Sequence, residues 1–293
     1  MAREITLFAM MQRGFDTLRA LASEFQGAIS AVVSARDTHV TNDFFDDIAA
    51  FCSDHRIPFR ERTQHLETTT KYAIAISWRW LIDPGPAQLI VLHDSLLPRY
   101  RGFGPLVSAL LNGDRALGVT AVWGTDRYDA GDIIEQASTA ISYPIRIQQA
   151  IDLTSGLYQR VAVNVVRCLL EGRSIPRIAQ DETQATYSLW RDDHDYQIDW
   201  TRPAFEIRRF IDAVGAPYLG AATRLKHVRA RILEADVAED ARIENRTPGK
   251  VFAIDDSKPI VVCGTGLLKV IDMVDDESRV SLLPLSNLRV RFT

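Results

Sequence analysis

Residues 93–102 read His-Asp-Ser-Leu-Leu-Pro-Arg-Tyr-Arg-Gly, and a second run, Asp129-Ala130-Gly131-Asp132-Ile133-Ile134, stands on the next apolar segment. His93 and Asp129 are the residue types of an acid/base pair. An imidazole changes charge near neutral pH, and a facing carboxylate steadies the charged ring. Alone, His93 reads as a hydrogen-bonded core or turn residue and Asp129 as a turn former. Together the two runs carry more special residue types than packing requires. Asp94 and Ser95 raise a hydrolase reading, but the chain has no Gly-x-Ser-x-Gly elbow, so Ser95 reads as a turn cap. Leu96-Leu97-Pro98 reads as a rigid apolar wall. Arg99 and Arg101 suit a substrate phosphate, and equally well a salt bridge at a sheet edge. Ser77-Trp78-Arg79-Trp80-Leu81-Ile82 carries two indoles; either alone reads as core, while the pair could wall a flat heterocycle. Met10, Met11 and Arg13 close the first strand and are candidates to face an acceptor. Gly264-Thr265-Gly266 reads as a hairpin turn between two β runs, not as a dinucleotide fingerprint.

The elements that must position these residues follow from hydrophobic period. Ile5 to Met10, Ala28 to Val33, Tyr72 to Ser77, Leu89 to Leu92 and Gly118 to Trp123 are short apolar runs, read as buried strands. Between them, Gly14 to Glu24 has helical spacing, Asn42 reads as the N-cap of a helix carrying Phe44, Phe45, Ile48 and Phe51, and Gly102 to Leu111 reads as helix. Ile147 to Leu170 is the longest helical pattern, with Gly172 as its stop. Strands alternating with amphipathic helices predict an α/β fold: a Rossmann-like, doubly wound, mainly parallel sheet. In such sheets the ligand crevice lies beyond the carboxyl ends of the strands, which is where His93 falls and where a short loop would bring Asp129.

Residues 176–202 are polar and irregular and read as a linker draped over a first domain of residues 1–175. Pro203 opens a helix with Phe205, Ile207, Ile211 and Val214, which Gly215 ends. Short β runs follow at Arg229 to Leu233, Gly249 to Ile254, Ile260 to Cys263 and Leu267 to Ile271. Residues 203–293 therefore read as a smaller, β-rich, OB-like domain.

The 293 residues are 46% hydrophobic with a net charge of −4, enough for a full core and poorly suited to a polyanionic partner. The three cysteines are far apart, with no metal-ligand spacing, so neither a zinc site nor a disulfide framework is expected. The first residues read as a strand rather than a signal peptide, and no apolar run reaches membrane-spanning length. The expectation is a cytoplasmic protein with no metal, no membrane and no nucleic-acid partner, with oligomerisation left open.

The chain resembles the formyltransferase family that uses N10-formyltetrahydrofolate. That family carries Asn-x-His, then Ser-Leu-Leu-Pro-x-Tyr/Trp-Arg-Gly, then Asp-x-Gly. His93, Ser95 to Gly102, and Asp129 with Gly131 match residue by residue, while Val91 stands where the family has its catalytic Asn. Phe8-Ala9, Ser77 with Leu81-Ile82, Arg127 and Pro217 with Gly220-Ala221 extend the likeness to sugar-nucleotide N-formyltransferases of the UDP-4-amino-4-deoxy-arabinose type. The resemblance implies that His93 is the acid/base and Asp129 its partner and proton relay. It implies that Trp78, Arg79, Trp80, Leu81, Ile82, Leu97, Thr125, Asp126, Arg127 and Tyr128 hold the folate. Met10, Met11, Arg13, Arg99 and Arg101 would then meet the amine-bearing acceptor. Removing an oxyanion donor slows catalysis by about 10²–10³-fold. Either another group replaces the Asn amide, or the chain has become a slow enzyme or a folate- or nucleotide-binding relative. The implied acceptor is an amino-sugar nucleotide, with another metabolite amine or hydroxylamine, such as a siderophore building block, as the second reading. Enzymes that formylate methionyl-tRNA resemble the chain in fold but carry a long basic insertion after the second strand. Here Ser34 to Asp43 is short, with one basic residue against two acids.

Overall fold

The structure, a computed structural model, describes residues 4–64, 69–285 and 287–293. The first half of the chain runs β1 (Ile5–Ala9), α1 (Met11–Glu24), β2 (Ile29–Ser34), α2 (Phe45–Asp54), β3 (Phe59–Glu61), β4 (Tyr72–Ile76), β5 (Gln88–His93), β6 (Arg101–Gly102), α3 (Pro105–Asn112), β7 (Ala116–Trp123), β8 (Ile133–Ala140) and α4 (Ile147–Leu170). The remainder is β9 (Tyr187–Ser188), α5 (Ala204–Val214), β10 (Ala221–Leu225), β11 (Val228–Ala238), β12 (Val251–Asp255), β13 (Lys258–Val262) and β14 (Leu267–Asp275). Seven strands form one sheet in the order β3-β2-β1-β4-β5-β7-β8, parallel from β3 to β5. Five strands form a separate antiparallel sheet, β10-β11-β14-β13-β12. The fold is thus a Rossmann-like, mostly parallel sheet followed by a β-rich C-terminal unit. No helix among the described residues is long and apolar enough to cross a membrane.

Side chains on a strand alternate between faces, and the two faces of the large sheet differ. Leu7, Val32, Ile74, Ile90, Leu92, Val119 and Ala121 point to one side. There they pack against Leu18 and Leu21 of α1, Ile48 of α2, and Val161, Val165 and Leu169 of α4. The four-residue spacing along α4 places those three in one stripe. The opposite face carries Phe8, Val33, Ala73, Ala75, Leu89 and Val91. Small residues in its middle leave room, and His93, two residues beyond Val91, points into that space. A further core joins α3 and α5 to the start of α4 and to the C-terminal sheet through Leu106, Leu110, Ile147, Ile207, Ile211, Ile232 and Met273.

Several boundaries differ from the sequence reading, each for a physical reason. Asn42 is not an N-cap: its Oδ1 accepts from Phe44 N–H at 2.9 Å, and α2 begins only at Phe45. The helix expected from Gly102 starts at Pro105, because Arg101–Gly102 pairs instead with Tyr187–Ser188. Within segment 176–202, Tyr187–Ser188 thus pairs with Arg101–Gly102, and Ile178 bridges Ile133 at the start of β8. The largest difference is the direction of β7, which runs antiparallel to β5 and pairs Trp123 with Ile90 and Thr120 with His93. The end of β7 thus lies beside the start of β5, away from His93. Asp129 reaches the imidazole only because residues 124–132 turn back over the open face.

That return is held at both ends. Gly124 N–H donates to Leu89 O at 2.7 Å, Trp123 N–H donates to Asp132 O at 3.0 Å, and β8 then pairs with β7 from Ile133. The closure is so tight at Gly131 that a Cβ there would sit 1.7 Å from the Trp123 carbonyl oxygen. Gly131→Ala is expected to lower Tm by several degrees, since such overpacking costs about 1–3 kcal/mol or more. Gly156→Ala serves as the control: it lies inside α4 with open space around its Cβ, and should leave Tm unchanged or raised. Thermal unfolding of the two variants checks this, and a wild-type Tm for Gly131→Ala would contradict the described return.

Candidate active site

A cavity of about 850 Å³ opens on the face of Ala75 and Val91. It lies beyond the carboxyl ends of β1 and β4, the point where strand order reverses, which is where ligands bind in open α/β sheets. His93 and Asp129 share its wall, with Nδ1 3.5 Å from Oδ1 and both side chains about nine-tenths buried. Their other contacts fix their roles. His93 Nε2 stands 2.8 Å from Tyr100 O; a carbonyl only accepts, so Nε2 carries the proton. With Nε2 so committed, Nδ1 faces Asp129 and the cavity. Asp129 Oδ2 accepts from Gly102 N–H at 2.8 Å, leaving Oδ1 to face the ring and the cavity. The Tyr100 carbonyl thus sets the proton on Nε2, and Asp129 faces the other nitrogen.

The turn after β5 holds that carbonyl in place. Thr120 Oγ1 on β7 donates to Ser95 O at 2.7 Å and accepts from Leu97 N–H at 3.1 Å and Gln136 Nε2 at 2.9 Å. Ser95 Oγ donates to Arg99 O at 2.7 Å, as the turn-cap reading expects. Tyr100 N–H donates to Thr186 Oγ1, Arg101 N–H to Thr186 O, and Phe103 N–H to Ser188 O. Met11, Ser77, Tyr100 and Asp129 all have left-handed φ, between 53° and 62°. Each such non-glycine residue costs about 1–3 kcal/mol and persists where its surroundings over-determine it. All four flank the cavity or hold His93.

Arg13 forms the second charged centre. Its Nη1 donates to Asp94 Oδ2 at 2.7 Å and its Nε to Ser77 Oγ at 3.1 Å. Burial opposes its charge, but Asp94, with Tyr158 and Tyr218, outweighs this and raises the guanidinium's pKa above its ordinary value. Burial pushes the Tyr158 phenol well up, with Asp94 adding to the effect, and burial likewise raises Tyr218. Both phenols therefore remain neutral donors.

Trp78, Arg79, Trp80, Leu81 and Ile82 line the cavity, as do Thr125, Arg127 and Tyr128. Trp78 packs edge-on against Phe8 and Trp80, with ring centres 5.2 and 5.3 Å apart. Its Nε1 is a buried donor without a partner among the described residues. Arg79 is paired with the buried Asp37. Met11 and Arg13 also face the cavity, but Met10 is wholly buried in the small core behind it. Leu97 is likewise core, because its N–H and C=O are tied to Thr120 and Gln136. Asp126 lies outside the lining. Arg99 turns to Tyr100 Oη and Asp114, and buried Arg101 binds Gln180 and Glu182. Those two arginines make the structural ion pairs that their sequence position equally allowed.

Sequence reasoning missed Asp94, Tyr158, Tyr218, Arg231 and the stretch Leu189 to Asp193 with Tyr196, all of which line the cavity. A signal for the last was present: Leu189-Trp190 is an apolar pair inside an otherwise polar segment.

The family model for formyl transferase matches residues 71–162, and that for the formyl transferase C-terminal domain matches 192–281, together more than half of the chain. The chain belongs to the formyl transferase family. The Asp-x-Gly loop and residues 192–196, the end of a strap from Thr186 to Tyr196 along the cavity, both fall within the matched stretches. A methionyl-tRNA formyltransferase from Akkermansia muciniphila is 34% identical over 196 residues, 66% of this chain and 62% of that protein. One from Syntrophomonas wolfei is 30% identical over 184 residues, 63% of this chain and 58% of that protein. The match thus spans about three fifths of the length of these curated relatives. Among solved structures, WlaRD, a sugar 3N-formyl transferase crystallised in the presence of dTDP and 5-N-formyl-THF, superposes with a TM-score of 0.67. That superposition covers 96% of this chain and 98% of WlaRD at 14% identity, a likeness of fold.

The Arg13–Asp94 pair yields a test of the site's framework. Arg13→Met should destabilise the protein toward the lower end of about 3–5 kcal/mol, because it strands a mostly buried carboxylate at the cavity's edge. Adding Asp94→Asn should recover part of the loss. Urea unfolding measures both, and a single variant as stable as wild type would contradict the pairing.

Proposed function

We propose that the chain is an N-formyltransferase that moves the formyl group of N10-formyltetrahydrofolate to the amine of a small molecule, an amino-sugar nucleotide being the best-fitting acceptor. The observation that carries this reading is the pair His93 Nδ1 and Asp129 Oδ1, 3.5 Å apart on the wall of a cavity large enough for two substrates. The folate fits the other wall. Its flat heterocycle suits the Trp78–Trp80 corner, where Trp78 Nε1 has no partner, and Thr125, Arg127 and Tyr128 line the same cavity. When bound, it supplies a formyl carbon on a nitrogen that can leave as an amine.

The chain's own groups would then act as follows. An acceptor amine at this pair donates to Asp129 Oδ1 and gives its proton to His93 Nδ1 as its nitrogen bonds to the formyl carbon. The ring, now protonated on both nitrogens, stays bonded to Tyr100 O and faces Asp129, so its charge is stabilised on both sides. His93 returns the proton to the leaving folate nitrogen as the old carbon–nitrogen bond breaks, and atoms and charge balance. Val91 contributes no hydrogen bond, and neither do its register neighbours Ala75 and Val122. The positive charge of the imidazolium, rather than a hydrogen bond, then opposes the charge building on the formyl oxygen.

Two features support a small acceptor. The segment Ser34 to Asp43 lacks a run of cations, and the lining residues Tyr218 and Arg231 of the C-terminal unit close over the cavity. The identity with methionyl-tRNA formyltransferases favours a second reading, transfer to an aminoacyl-tRNA.

A panel of amino-sugar nucleotides, amino acids and methionyl-tRNA, incubated with the protein and N10-formyltetrahydrofolate, separates these by the mass gain of one formyl group. The expected product is a formylated amino-sugar nucleotide; formyl-methionyl-tRNA as the sole product would overturn the proposal. In the same assay Val91→Asn should raise kcat by about tenfold or more with little change in KM for folate, because it adds a donor that acts on developing charge. An unchanged kcat would mean that His93 or another group already serves fully.

A further inference from the structure

Five arginines line the cavity, and four are matched by acids. Arg13 meets Asp94, Arg79 meets Asp37, Arg231 is held by Asp193 and Asp276, and Arg127 lies 3.7 Å from Glu182. Arg191 has no carboxylate partner among the described residues, and its Nε is buried without any hydrogen bond. A guanidinium kept without a counter-charge on a cavity wall is an unused anion site. Its chain neighbours add a second observation. Trp190 also lines the cavity yet is 65% exposed, and Leu189 beside it is 75% exposed. An indole left bare at a cavity rim is a stacking surface for a flat ring.

The strap's position sets the scale. Ser188 O accepts from Phe103 N–H at 2.9 Å, and Ser188 Oγ lies 3.4 Å from the same Tyr100 carbonyl that holds His93. Arg191 follows three residues later, at most about 10 Å of chain from that anchor. Arg191 and His93 line one cavity of about 850 Å³, so an anion on Arg191 and an amine at His93 can belong to one ligand, with a ring extending onto Trp190. We infer that Trp190 and Arg191 form the acceptor clamp of this site, Arg191 binding a phosphate and Trp190 stacking the base of a nucleoside-diphosphate-linked amine. The inference rests on the formyltransferase reading for the amine, while the clamp itself is tested without turnover.

Isothermal titration of the full chain with uridine diphosphate, uridine and 5-formyltetrahydrofolate provides the test. Uridine diphosphate should bind the wild type. Arg191→Gln should weaken it by about tenfold or more, the scale of one lost charge-assisted hydrogen bond, and leave uridine's affinity unchanged. Trp190→Leu should weaken both uridine and uridine diphosphate. The folate analogue should bind all three proteins alike. Equal affinity of uridine diphosphate for all three proteins, or no binding, overturns the clamp even if the folate analogue binds. A loss in Arg191→Gln with no effect of Trp190→Leu on either nucleoside ligand overturns the stacking half. Clamp-dependent nucleotide binding without any folate binding would uphold the clamp and remove the formyltransferase reading instead. A gel shift of methionyl-tRNA that both substitutions weaken, with uridine diphosphate inert, assigns the strap to RNA and overturns the inference.

Discussion

A backbone carbonyl can only accept, so the 2.8 Å contact between His93 Nε2 and Tyr100 O fixes the proton on one nitrogen and frees the other. That contact sets which ring nitrogen faces Asp129 and the cavity. Were the ring free to change tautomer, Nδ1 would present a proton to Asp129 and could accept none. The surrounding structure acts to keep the carbonyl still. Tyr100 sits in left-handed conformation, its N–H is tied to Thr186, and the turn before it hangs on Thr120. Thr120 is opposite His93 in the β5–β7 register, so the strand that aims the imidazole also anchors the loop that orients it.

Asp129 reaches the same point by a different route, and the geometry of that route explains the glycine beside it. Because β7 runs antiparallel to β5, the chain must return along the open sheet face before Asp129 can meet His93. Only a residue without a Cβ passes the Trp123 carbonyl at Gly131. The return loop then becomes a wall of the cavity, so one constraint both positions a carboxylate and shapes a binding surface. On the other side, the strap from Thr186 to Tyr196 closes the cavity with groups that belong to neither sheet.

Much of this is legible in residue types, and the unread part has physical causes. Alternation along Leu89-Ile90-Val91-Leu92 places Val91 and His93 on one face, and the structure puts Ile90 and Leu92 in the opposite core. The run Ala116 to Trp123 is buried on both sides, so its pattern is the same whichever way the strand runs, and its antiparallel direction could not be read. The edge strand β8 was missed because Ile-Ile-Glu-Gln-Ala-Ser-Thr-Ala has weak alternation and a bulge against β7. Arg99 and Arg101 flank the motif identically to a substrate ligand, and only their partners Asp114 and Glu182, far along the chain, show that they brace the loop. The strap escaped notice because two strand residues, Tyr187 and Ser188, are too short to produce a period.

The central claim is that His93 carries a proton on Nε2, bonded to Tyr100 O, with Nδ1 turned to Asp129 and the cavity. The most direct measurement is two-bond nitrogen–hydrogen correlation NMR of the full chain with nitrogen-15-labelled histidine, recorded at mildly alkaline pH and assigned with His93→Gln. The account predicts a His93 pattern of the Nε2–H tautomer. A pattern of the Nδ1–H tautomer would contradict it.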